Sequence, residues 1–66
     1  MEDIQKALVD EIERVQIIIS VYRETPAGEI AAFLMDKDVK KGMTALAESD
    51  IEKMIEAYLS LQSWEI

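Results

Sequence analysis

Leu8, Ile12, Val15, Ile19 and Tyr22 follow one another along the chain at spacings of four, three, four and three. On a helix of 3.6 residues per turn these positions share one side, so the pattern predicts an amphipathic helix over about residues 3–23. Val9, Ile17, Ile18 and Val21 lie off that seam and make the second half of the helix apolar on more than one side. A helix of this kind expects several neighbours. The seam residues, together with Ile17, Ile18 and Val21, therefore read as an oligomer interface. The run Ile17-Ile18-Ile19 is β-branched and also suits a strand, but the helical period enters it unbroken and no second strand-like segment exists to pair with it.

Thr25-Pro26-Ala27-Gly28 punctuates the chain. Thr25 can cap a helix and Pro26 can occupy its first position, where the missing N–H costs nothing. A connection this short predicts that the next helix folds back antiparallel. Ala31, Met35, Val39, Met43 and Leu46 then mark a second helix over about residues 26–47 that continues through Gly42. A break at Gly42 is the alternative, with Lys40 and Lys41 complementing the last turn. Ser49-Asp50-Ile51-Glu52 has the spacing of a capping box, with Ser49 as the N-cap of a third helix over about residues 50–63. Its inward face is expected to hold Ile51, Met54, Ile55, Tyr58 and Leu61.

These elements predict one all-α domain, a long antiparallel helical hairpin plus a shorter third helix. At 66 residues a single core is thin, because small chains bury a small share of their surface. Without cysteine, no disulfide can add to it. Assembly as a homodimeric helical bundle is the expected solution, since a second copy would cover the surplus apolar positions.

Composition narrows the chemistry. The chain has no His and no Cys, which removes the commonest general base, the commonest transition-metal ligands and any redox centre built on thiols. No nucleophile sits beside a recognisable base, and three short helices leave little room for a substrate cavity. The expectation is a non-enzymatic protein without cofactor or metal. Asp36, Asp38 and Gly42 faintly resemble a calcium loop, yet Lys40 and Lys41 occupy the positions that would need oxygen ligands and glycine.

Fourteen acidic residues against seven basic ones leave a net charge of −7, divided evenly between the two halves of the chain. Such a surface repels nucleic acid and anionic lipid, so neither is an expected partner. The most apolar run is far shorter than the roughly twenty residues that span a bilayer, and the first residues lack a basic leader; both point to a soluble cytoplasmic protein. Glu48, Glu52 and Glu56 form an i, i+4 row of carboxylates, and Trp64 is a large aromatic near the chain end. These four are the candidate contacts to a partner protein with a basic or apolar-grooved surface. The function expected is that of a small acidic interaction module, an adaptor, inhibitor or regulator. One alternative is a protein whose role is its own helical oligomer. Another is a helix-turn-helix accessory of transcription, although the third helix offers only Lys53 for phosphate.

Overall fold

The computed structural model describes residues 3–65 and is all-helical, with no strand among those residues. Three α-helices, α1 (Ile4–Tyr22), α2 (Glu29–Glu48) and α3 (Ile51–Gln62), pack pairwise into a bundle of 39 × 19 × 15 Å. Glu2 and Lys6 have the i, i+4 spacing of a helical ion pair, and Glu2 lies outside the described residues.

Helices α1 and α3, and the 3₁₀ turn ahead of α2, start where a short polar side chain satisfies an orphan N–H. Asp3 caps α1 by accepting from the Gln5 amide at 3.0 Å. Thr25 caps a 3₁₀ turn, Pro26–Gly28, by accepting from the Gly28 amide at 3.3 Å, and this turn leads directly into α2. A Cβ on Gly28 would stand 2.1 Å from the carbonyl oxygen of Tyr22, so only glycine lets the chain turn this tightly. The second helix thus begins as the sequence predicts but spends its first turn in 3₁₀ geometry.

The α2–α3 connection differs from the expected capping box. Ser49 is not the N-cap of α3. It adopts the left-handed conformation at φ 54° and ends α2, while Asp50 caps α3 by accepting from the Lys53 amide at 3.1 Å. The Ser49 amide donates to Leu46 O and the Asp50 amide to Ala45 O, both at 3.2 Å, the paired bonds of a Schellman closure. Two residues therefore finish one helix and open the next.

The core consists of Leu8, Ile12, Val15, Ile18 and Ile19 of α1, Ala32, Met35, Val39 and Ala45 of α2, and Met54, Ala57 and Leu61 of α3. On α1 the predicted seam is the buried face. On the other two helices the predicted face is buried only in part: Met35, Val39, Met54 and Leu61 face inward as expected, Ala31, Leu46 and Tyr58 are half-buried against the core, and smaller residues take the remaining inward positions. In α2 the buried face is Ala32, Met35, Val39, Gly42 and Ala45, and Met43 is exposed; in α3 it is Met54, Ala57 and Leu61, with Ile51 and Ile55 exposed. Small residues go inward because the helices approach closely. Gly42 is buried where α2 crosses α1, and a Cβ there would meet Ile12 Cδ1 at 3.1 Å and Leu8 Cδ1 at 3.4 Å. Helix α2 continues through Gly42, which has no positive φ.

Candidate protein-docking surface

Five of the eight residues expected at an oligomer interface, Leu8, Ile12, Val15, Ile18 and Ile19, are buried by their own chain. They cannot meet a second molecule while this fold stands. Tyr22 is half-buried, and only Ile17 and Val21 are exposed. The neighbours that α1 lacked in the sequence are α2 and α3.

Trp64 is likewise engaged internally. Its indole Nε1 donates to Asp38 Oδ2 at 2.7 Å, and the ring packs on the core. Arg14 reaches the same place from α1. It donates to the carbonyl oxygens of Leu61 at 3.0 Å and Trp64 at 2.9 Å, which completes the open end of α3. Its other donors form a fork on the Glu11 carboxylate at 2.9 and 3.1 Å, although Asp10 also has the i, i+4 spacing to pair with it. The hydrogen bond to Glu11 holds the guanidinium proton more tightly than usual. Tyr22 adds a hydroxyl donated to Glu65 O at 3.3 Å.

This clasp is partly exposed, so Arg14→Met is expected to cost about 1–2 kcal/mol, the range for hydrogen bonds from a charged donor discounted for solvent. Trp64 emission should shift to the red well before global unfolding in a urea titration. Emission that tracks the far-ultraviolet signal throughout would mean that Arg14 does not hold the chain end.

The clasp also marks where α3 stops. Lys53 Nζ lies 3.0 Å from Glu48 Oε1 at one end of α3, and Trp64 touches Asp38 at the other. The twelve residues of α3 therefore run beside only the last ten or so of α2, and the first turns of α2 have α1 alone for cover. Leu34 stands on the row of Asp38 one turn nearer the α1–α2 connection, with Ile30 a further turn along; on α1, Ile17 and Val21 follow Arg14 on the corresponding rows. All four are exposed, Ile30 at 76% and Ile17 at 65%. By these rows the four belong to the end of α1 and the start of α2 that α3 does not reach, while Tyr22, Ala31 and Trp64, half-buried, pack on the core. Phe33, on the outer side of the same turn of α2, is exposed too.

A groove of about 730 Å³ separates α2 from α3. It is lined by Lys37, Lys40, Lys41 and Thr44 on one side and Lys53, Glu56, Ala57 and Ser60 on the other. Four of the seven basic residues of a strongly acidic chain thus share one groove. Lys40 is paired with Asp36 at 3.1 Å, as the i, i+4 spacing predicts, and Lys53 with Glu48, whose hydrogen bond raises the Lys53 pKa. The predicted carboxylate row is therefore divided: Glu48 is tied to Lys53, Glu56 borders the lysines, and Glu52 is exposed on α3.

Sequence reasoning passed over the lysine groove. The signal was present in Lys37, Lys40 and Lys41 at i, i+3 and i+4, which share a side of one helix, but the contribution of Lys53 depends on how α3 is laid against α2. Among the described residues, no helix is long and apolar enough to cross a membrane. Comparison with protein-family models, curated proteins and solved structures finds no match to this chain.

Proposed function

We propose that the protein is a small non-enzymatic interaction module, and that α1 and α2 act as a helical hairpin whose uncovered end docks on another protein. The observation that carries this reading is the set Ile17, Val21, Ile30 and Leu34 beyond the end of α3. The chain has packed smaller residues, Ala32, Gly42, Ala45 and Ala57, inside and left these larger ones in water. Scattered apolar residues are ordinary on a surface, but a row shared by two helices at one end is the kind of patch that marks a contact site. Each such side chain gains about 1.5–3 kcal/mol on full burial, so four together can anchor a complex.

A photo-cross-linking amino acid placed at Leu34 in the cells that make the protein tests this. The expected product is an adduct with a different protein that disappears when Ile30 and Val21 are changed to Glu. No adduct, or one unaffected by those changes, would end the reading.

A second reading, self-assembly, has its own support in Ile51, Ile55 and Leu59. These form one i, i+4 row on α3 and are all exposed, so two copies could share them across a two-fold axis. It places the dimer contact on α3 rather than on the buried seam of α1. An adduct at Ile55 of twice the chain mass would favour it.

A further inference from the structure

The lysine groove and the apolar end of α2 form one continuous track. Ile30, Leu34, Lys37, Lys41 and Thr44 recur at four, three, four and three, the spacing of a single helical stripe, so the stripe changes from apolar to basic along about 21 Å of α2. Its basic half is the wall of the α2–α3 groove. The opposite wall and floor include Ala57 and Ser60, whose short side chains allow another helix to lie within the 8–10 Å typical of packed helices.

From this arrangement we infer that the occupant of the track is an acidic amphipathic helix of a partner protein, about four turns long, with apolar residues against Ile30 and Leu34 and carboxylates against Lys37 and Lys41. Charge complementarity selects it. Neither Lys37 nor Lys41 belongs to an ion pair among the described residues, so both can meet incoming carboxylates. The rest of the molecule is strongly acidic, so an acidic helix is repelled from other faces and guided to this one. Nucleic acid is disfavoured by the same field: the groove has four lysines and no arginine, and a long polyanion cannot avoid the acidic surfaces beside it. The inference rests on the docking reading above but adds the partner's chemistry, and the two can fail separately.

The test uses two labelled, amidated eighteen-residue peptides, each with leucines on one helical face. One carries Glu on its remaining positions and the other carries Lys. Binding to the full chain is followed by fluorescence anisotropy at 50 and 300 mM NaCl, with inorganic polyphosphate as competitor. The Glu peptide is expected to bind and the Lys peptide to bind at least tenfold more weakly. K37E/K41E should weaken the Glu peptide at least tenfold while keeping native helicity, and K37Q/K41Q should give an intermediate loss. Affinity should fall at the higher salt.

Equal binding of both peptides, or no effect of K37E/K41E, would overturn the acidic chemistry while leaving an apolar docking site intact. Displacement by polyphosphate at equal charge concentration, with no dependence on Leu34, would show a general anion site instead. Self-association abolished by K37E/K41E would assign the groove to a second copy and also overturn the inference.

Discussion

Leu8→Ala is expected to remove about 3–5 kcal/mol of stability, as deletion of a fully buried leucine does when its surroundings cannot collapse into the space. Leu8 has no exposed surface, and it lies where α1 crosses α2 beside Gly42. Glycine has no side chain to move into the gap. A domain of this length has about 3–10 kcal/mol in total, so the variant should be partly unfolded at room temperature. Urea titration followed by circular dichroism reads the effect as a midpoint lowered by about half or more. Val9→Ala provides the control. Val9 is one position along the same helix but 40% exposed, and its loss should stay within about 1 kcal/mol. Equal costs at the two positions would mean that α1 presents a different face to the bundle.

Gly42 carries the second large effect, and there the size of the new side chain decides the sign. Gly42→Ala gains up to about 1 kcal/mol of helix propensity, set against a methyl group that must displace Ile12 Cδ1 from 3.1 Å by a few tenths of an ångström. The moving atom is the end of a side chain, so the two effects should cancel to within about 1 kcal/mol. Gly42→Leu has no such escape. Three more carbon atoms would have to occupy space already held by Ile12 and Leu8, both buried, and the helices would have to separate. Overpacking of this kind costs about 1–3 kcal/mol and more where the backbone must move, so a loss of about 3 kcal/mol is expected. Thermal melts of both variants check the pair. A Gly42→Leu protein as stable as the parent would show that α1 and α2 are further apart than described. A large loss for Gly42→Ala alone would indicate a core too rigid to yield.

Both expectations concern how closely the helices approach, which is also what separates the legible from the illegible in this chain. The helices themselves could be read from local signals. The seam of α1, the Thr25-Pro26 start and the continuity of α2 past Gly42 follow from side-chain period, backbone donors and the absence of loop-forming residues between 43 and 48. These are properties of neighbours in the chain, and tertiary packing did not alter them.

The faces of α2 and α3 could not be read in the same way. Each helix carries more than one apolar stripe, and hydrophobicity alone favours the one with the larger residues: Ala31 to Leu46 in α2, and Ile51 with Ile55 in α3. The bundle keeps Met35 and Val39 of α2 and Met54 and Leu61 of α3 inside but fills the other inward positions with smaller residues, Ala32, Gly42, Ala45 and Ala57, because Gly42 against Leu8 and Ile12 allows a close crossing that Met43 would prevent. The same choice leaves Ile30, Leu34, Ile51, Ile55 and Leu59 outside.

The candidate site follows from that selection. Sequence alone determined that the chain is helical, acidic and richer in apolar positions than its own core needs. It also placed three lysines on one side of the second helix. Only the tertiary structure decided that the α1 seam is consumed internally, that Trp64 and Arg14 close the bundle end, and that Lys53 joins the other lysines. The physical reason is that a local pattern ranks residues by type, whereas burial depends on the distance between helices, which is set by side chains far apart in the chain.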